Sequence, residues 1–244
     1  MADTDFDERN REFISRMGAD AELNALSRRW FENVSRFEYS YHFTWMGLPI
    51  IQFPQDIVAM QELVWAVKPD CIIETGVARG GSLIFYASML ELLGGDGIVI
   101  GVDIDIRPHN REAIEGHPMA KRISLIQGSS IDEATVAQVR KLCGSRKRVL
   151  VTLDSNHTHE HVLSELEMYS PLVTRGSYLV VFDTVVEDLP KAQFPDRPWG
   201  PGNNPKTAVW EFLKRSDRFE IDKSIHYKLQ LTVAPDGYLK CLKD

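Results

Sequence analysis

Apolar positions divide the chain into recurring elements. Over residues 1–40, Phe6, Phe13, Ile14, Met17, Leu23, Leu26 and Trp30 recur at roughly helical spacing among charged side chains, which predicts helix. Over residues 39–54 the pattern stops. Tyr39, Tyr41, His42, Phe43, Trp45 and Phe53 crowd a stretch broken by Gly47, Pro49 and Pro54, the pattern of an aromatic loop. An alternation follows. Ile57, Met60, Leu63, Val64 and Val67 fall on one face of a helix over 56–67. Short apolar runs predict strands over 71–75, 98–104, 123–126, 149–153 and 178–182. Helical patterns over 82–93, 110–115, 132–142 and 159–170 separate them. Strands alternating with helices make βαβ units and a mainly parallel sheet. The strands are continuously apolar, as expected where both sheet faces are covered.

Residues 185–205 break the rhythm and hold five of the chain's 12 prolines. A connection of that length is usually a functional lid or a linker. A helix resumes over 206–214. Strands are expected over 219–225 and 229–242, with a turn at Pro235, Asp236 and Gly237. The expected fold is α/β: a doubly wound, Rossmann-like sheet, mostly parallel, with an antiparallel C-terminal strand and an N-terminal helical cap. The expected organisation is a helical and aromatic cap over 1–55 and one globular unit over 56–244.

Composition narrows the class. The chain has 244 residues, 43% hydrophobic and 26% charged, which excludes collagen, a coiled coil and wholesale disorder. A net charge of −7 speaks against a nucleic-acid partner. Cys71, Cys143 and Cys241 are odd in number and far apart, so they build no disulfide framework and no metal knuckle. A reducing, cytoplasmic setting follows. The acidic N-terminus does not read as a signal peptide. No apolar run approaches the roughly 20 residues that span a bilayer.

The first strand ends at Glu74, Thr75 and Gly76, and Val77, Ala78, Arg79, Gly80, Gly81 and Ser82 follow. Glycines at a strand-to-helix turn let backbone approach a ligand. The second strand ends near Asp103, where an acid accepts both hydroxyls of a ribose. A dinucleotide site needs G-x-G-x-x-G, but Ala78 stands at its second glycine. Glu74 would repel a pyrophosphate and suit a cation. S-adenosylmethionine carries an ammonium and a sulfonium and no phosphate, so the chemistry favours it over NAD. The third strand ends at Gln127, Gly128, Ser129 and Ser130, a loop placed to contact an adenine.

The fourth strand ends at Leu153 and Asp154, the fifth at Phe182 and Asp183. Adjacent parallel strands would set both aspartates over one crevice. Oxygen ligands there suit Mg²⁺, which keeps several of its waters. The alternative for each Asp alone is a helix N-cap. His157 stands three residues past Asp154, and histidine is the side chain best suited to general-base work at neutral pH. His159 and His161 spread around a helix at i, i+2 and i+4 from His157, and they read as solvated positions. There is no G-x-S-x-G elbow and no HExxH, so hydrolase chemistry has little support.

Residues 69–82 (PDCIIETGVARGGS) resemble motif I of class I methyltransferases. Residues 47–56 (GLPIIQFPQD) and 197–205 (RPWGPGNNP) resemble the bacterial family that groups rhamnosyl O-methyltransferases with cephalosporin-hydroxylase-like proteins. The resemblance runs from about Phe37 to the C-terminus. It implies S-adenosylmethionine-dependent methylation of a sugar hydroxyl, with bound Mg²⁺. The site is also similar to that of catechol O-methyltransferase, whose metal ligands are an Asp after the fourth strand and an Asp-Asn pair after the fifth. Asp154 and Asp183 match the aspartates, and Thr184 stands in place of the Asn. Glu187 is the other candidate third ligand. By the same resemblance His157 is the base, and Glu74, Gly76, Ala78 and Ser82 line the methionine end of the cofactor. Asp103 holds the ribose, while Ser130 and Ile131 border the adenine. The aromatic stretch 39–45 and the Pro-rich segment 199–204 are the expected acceptor pocket. The acceptor is a small molecule or a glycan, and a homo-oligomer is expected. The alternatives are a natural-product hydroxylase or oxidoreductase on the same nucleotide-binding fold, and a non-catalytic binding module.

Overall fold

A computed structural model describes residues 4–243. Seven strands form one sheet: β1 (Cys71–Thr75), β2 (Ile98–Asp103), β3 (Ile123–Gln127), β4 (Val149–Leu153), β5 (Tyr178–Val181), β6 (Phe219–Ile221) and β7 (Tyr238–Cys241). Their spatial order is β3-β2-β1-β4-β5-β7-β6. The first five strands are parallel, with Cys71 of β1 paired to Ile98 on one side and Val149 on the other. β7 runs antiparallel to both β5 and β6. The winding direction reverses between β1 and β4, so a crevice opens at their C-terminal ends, where open α/β sheets bind ligands. The expected doubly wound sheet with an antiparallel C-terminal edge is what the chain forms.

Nine α-helices lie among the described residues: α1 (Thr4–Ala19), α2 (Ala21–Ser35), α3 (Pro54–Val67), α4 (Gly81–Leu93), α5 (Pro108–Glu115), α6 (Glu133–Cys143), α7 (His159–Tyr169), α8 (Pro205–Arg215) and α9 (Lys223–Leu229). Alternate strand residues face opposite layers, because side chains along a strand point to alternate faces. Ile72, Val99, Leu150 and Val180 pack with Met60 and Leu63 of α3 and Leu83 and Phe85 of α4. Ile73, Ile100, Val151 and Val181 pack with Val136 of α6, Leu166 of α7 and Val209 of α8. α4 is buried almost all round, which explains its lack of a polar face.

The helical reading of residues 1–40 becomes α1 and α2, and its first three residues lie outside the described ones. Asp20 separates the two helices, and its carboxylate accepts from the Leu23 N–H at 2.9 Å. Phe31 of α2 stacks on Phe53 with ring centroids 4.8 Å apart and joins the core beneath.

The C-terminal expectation needs correction. The strand expected over 219–225 ends at Ile221, and α9 follows. Asp222 starts that helix by accepting from the Ser224 N–H, and Ile225 turns into the core. Residues 230–237 are not strand either. The buried Asp56 carboxylate accepts from the Val233 N–H at 2.9 Å, the Tyr238 hydroxyl at 2.7 Å and the Thr232 hydroxyl. A side chain from α3 thus meets the demands that a β-ladder would meet.

Candidate functional site

The turn after β1 depends on missing side-chain atoms. Gly76 has φ +92°, and a Cβ there would lie 2.0 Å from the Asp154 carbonyl oxygen. That close approach joins the ends of β1 and β4: the Asp154 N–H donates to the Thr75 carbonyl at 2.9 Å. Ala78 sits in the left-handed region at φ +45°, a strained conformation for a residue with a Cβ. Asp103 holds it there. Its Oδ2 accepts from the N–H groups of Val77 at 2.8 Å and Ala78 at 3.2 Å. Gly81 opens α4, and a Cβ there would lie 2.2 Å from the Pro49 carbonyl oxygen. The cap segment therefore lies directly on the ligand loop.

Glu74 is buried at the end of β1, where the Ser82 hydroxyl donates to its Oε2 at 2.7 Å. Burial first, then the charge of Asp103, pushes its carboxyl up to about 8. Without a cation beside it, Glu74 holds a proton at neutral pH.

The second half of the site lies over β4 and β5. One ligating atom each from Asp154, His157 and Asp183 lies within 4.8 Å of the others. The His157 Nε2 is 3.2 Å from the Asp183 Oδ2. Asp183 adopts φ +54°, again left-handed and strained. The Gln52 Nε2 donates to the Asp154 Oδ2 at 3.1 Å, and among the described residues the Gln52 Oε1 is buried without a partner. Burial, and then the charges of Asp183 and Glu74, hold the Asp154 carboxyl well above the usual carboxylate range. A buried carboxylate pushed up by its acidic neighbours is relieved by a cation. Two carboxylates suit Mg²⁺, so Asp154 and Asp183 fit that ion, with His157 beside them. Its ring stands edge-on to Trp199 at 4.9 Å, and the Arg197 guanidinium lies 5.1 Å from the Trp199 ring centre.

One cavity of about 540 Å³ brings Gly76, Ala78, Ser82, Asp154, His157 and Asp183 together. Glu74 lies under it, reached through Ser82, and Asp103 lies behind the loop. Ser130 and Ile131, on the loop after β3, are not part of its lining among the described residues. The Ser130 hydroxyl instead meets the His161 Nε2 at 3.0 Å.

Both candidates for a third metal ligand point elsewhere. Thr184 is fully buried, and its hydroxyl donates to the Pro235 carbonyl at 2.6 Å. The Glu187 Oε2 accepts from the Gly202 N–H at 2.7 Å and from the Asn204 side chain. The expected solvated histidines are also corrected. His159 bridges to α8 through Thr207 at 2.8 Å and Glu211 at 3.1 Å. His161 meets both Ser130 and Ser155, and Ser155 in turn donates to the buried Glu165 at 2.7 Å. Of the expected acceptor pocket, Tyr39, Tyr41 and Trp199 line the cavity. Trp45 does not: its indole N–H donates to Ser88 and its ring packs on Phe85. Asn204 caps α8, and the Asn203 side chain accepts from the His159 N–H. Gln52 belongs to no catalytic motif in the sequence, although it lies in the string 47–56 that carries the resemblance. Glu165 gave no signal in the sequence.

The sequence profile described as Rhamnosyl O-methyltransferase/CmcI matches residues 37–242. The chain belongs to this family. A rhamnosyl O-methyltransferase of Mycobacterium leprae is 30% identical over 200 residues, covering 80% of this chain and 82% of that protein. One from Mycobacterium tuberculosis is 28% identical over 200 residues, covering 80% and 77%. Among solved structures, CmcI with Mg and SAM aligns with a TM-score of 0.58 at 20% identity, covering 83% of this chain and 77% of that one. A Bacillus cereus O-methyltransferase in complex with SAH aligns with a TM-score of 0.51 at 16% identity, covering 78% and 80%. These two likenesses are of fold. The family match begins after α2, so nearly all of the cavity lies within it. No helix among the described residues is long and apolar enough to cross a membrane.

Proposed function

We propose that this chain is an S-adenosylmethionine-dependent O-methyltransferase that methylates a sugar hydroxyl, with Mg²⁺ held by Asp154 and Asp183. The acceptor is a deoxysugar such as rhamnose, or a sugar on a glycan or glycosylated natural product. The observation that carries this reading is the single cavity where the loop over 76–82 meets Asp154, His157 and Asp183. The names of the mycobacterial relatives support a sugar, and the Mg- and SAM-bound CmcI structure supports the pair of cofactors.

When bound, S-adenosylmethionine supplies a methyl group on a positive sulfonium, and Mg²⁺ supplies a charge that makes a hydroxyl beside it more acidic. The protein does the rest. Glu74 gives up its proton beside an ammonium and holds it. Gly76, Ala78 and Ser82 shape the methionine end, and Asp103 holds the loop above them through the Val77 and Ala78 N–H groups. His157 takes the acceptor proton at Nε2, the atom that lies 3.2 Å from the Asp183 Oδ2. The unpartnered Gln52 Oε1 accepts from an acceptor hydroxyl. Tyr39, Tyr41 and Trp199 offer aromatic faces to a sugar ring. Holding oxygen and methyl at near-attack distance supplies much of the rate. Residues 1–55 act as the cap over this site and 56–244 as the catalytic unit. The three buried free thiols support a reducing cytoplasm, and the negative net charge supports an acceptor other than nucleic acid. The aromatic cap supports a homo-oligomer.

Calorimetry tests this directly, titrating the protein with S-adenosylmethionine and with NAD, each with and without Mg²⁺. Micromolar binding of S-adenosylmethionine, followed by Mg²⁺-dependent methyl transfer to one member of a deoxysugar panel, is expected. Binding of NAD alone would turn the reading to an oxidoreductase.

A further inference from the structure

Phe31, Val185 and Leu189 line the catalytic cavity, and they also line a second cavity of about 320 Å³. Gly18, Asn24, Ser27 and Arg28 of α1 and α2 form one side of it. The turn after β5, α8, α9 and the segment before β7 form the other. One wall is therefore built from residues that precede the family match.

The charged and titratable groups around it are Arg28, Lys206, Lys223, His226 and Tyr227, with Asp188 and Asp236. The carboxylates are already engaged. Lys206 donates from Nζ to the Asp188 Oδ2 at 2.6 Å, and Trp210 donates from Nε1 to the Asp236 Oδ2 at 3.2 Å. Lys206 is only 6% exposed, so its ammonium is fixed in the wall. Among the described residues, no hydrogen bond or ion pair engages the side chains of Arg28 and Lys223. The His226 imidazole is held below its ordinary pKa, first by burial and then by the charge of Lys206. Three cations and an imidazole thus line a space with two acids: the buried Lys206 is met by Asp188, whereas Arg28 and Lys223 are exposed and have no acid partner among the described residues. Guanidinium and ammonium groups without an acid partner that line one cavity can give charge-assisted hydrogen bonds to an anion.

We propose that this second cavity binds a small molecule through an oxyanion group, a phosphate or a carboxylate, at a place separate from the catalytic cavity. Its volume falls within the range of small-molecule sites, roughly 300–1,000 Å³. Arg28 supplies a fork matched to two oxygens of such a group, and Lys223 and Lys206 supply point charges. The site is independent of the methyl-transfer reading.

The experiment titrates the full chain, in metal-free buffer, with inorganic phosphate and with citrate. Saturable one-to-one binding of at least one is expected. Arg28→Ala and Lys223→Ala should each weaken it about tenfold, the scale of one lost charged hydrogen bond, with Tm unchanged. The His226 ring, followed by NMR, should titrate at a higher pH with the anion present. Arg197→Ala, which removes a cation from the catalytic cavity, should leave anion affinity as it was. Tighter phosphate than citrate assigns a phosphate ester, and the reverse assigns a carboxylate. Failure of both anions to bind overturns the proposal. So does binding that falls in Arg197→Ala and not in Arg28→Ala, or a His226 titration that ignores the anion.

Discussion

The half of the site above β1 and β2 is built from backbone, and the half above β4 and β5 from side chains. In the first, Gly76, Ala78 and Gly80 all have positive φ, and Gly76 and Gly81 sit where a Cβ would strike main-chain oxygen. In the second, Asp154, His157 and Asp183 crowd ligating atoms within 4.8 Å, and burial and charge raise the Asp154 carboxyl. The first half fails by collision, the second by loss of charge. A substitution that keeps shape and removes charge should therefore be benign to folding and ruinous to turnover in the second half. One that adds a methyl should damage folding and binding together in the first.

The largest expected effect is that of Asp154→Asn. The amide keeps the size of the carboxylate and still accepts from Gln52. It removes a charge that the fold keeps near Asp183 and Glu74 at a cost. Methyl transfer should fall about a thousandfold, roughly 4 kcal/mol of barrier. Thermal unfolding of the metal-free protein should stay in place or move up. A variant that loses stability and activity together would make Asp154 a structural residue, and one that keeps turnover would remove the metal from the reaction.

Gly76→Ala comes next. Its Cβ meets the Asp154 carbonyl oxygen, which belongs to backbone and cannot swing aside, and φ +92° strains any side chain. A loss of about 3 kcal/mol in urea unfolding is expected, with S-adenosylmethionine affinity falling alongside. Full stability in this variant would mean that the turn is soft, and the contrast between the two halves would go with it.

Much of this contrast is legible in the sequence because each half leaves a local trace. Continuous apolar runs mark β1 to β5, glycines mark the ligand turn, and aspartates mark two matched strand ends. What is not legible depends on partners distant in sequence. Thr184 offers a hydroxyl of the right kind, but Pro235 takes it. His159 looks solvated until α8 supplies Thr207 and Glu211. The stretch before β7 has the composition of a strand, yet Asp56 of α3 holds its backbone. In each case a single contact overrides a sound local pattern.

The smallest expected effect tests the buried carboxyl in the backbone-built half. Burial pushes the Glu74 carboxyl from 4.5 up to about 8, so the folded protein keeps a proton that the unfolded chain releases. The stability this confers is complete below the unfolded value and is lost as pH rises through about 8. Between pH 5 and pH 7 that is a loss of about 2 kcal/mol. Asp56, raised by burial to about 6, gives a loss of the same sign that is spent earlier in the range. Asp154 adds another of that sign, so the wild-type slope alone assigns nothing. Glu74→Gln decides, because the amide keeps the Ser82 contact and cannot titrate. Urea unfolding from pH 5 to pH 8 without ligand should show a shallower decline in this variant. S-adenosylmethionine should reverse the ordering, since an ammonium beside Glu74 favours its ionised form. Its stabilisation of the wild type should grow with pH and remain flat in Glu74→Gln. Equal slopes in the two proteins would place the uptake of protons elsewhere, leaving the ligand loop with geometry alone to recognise a cation.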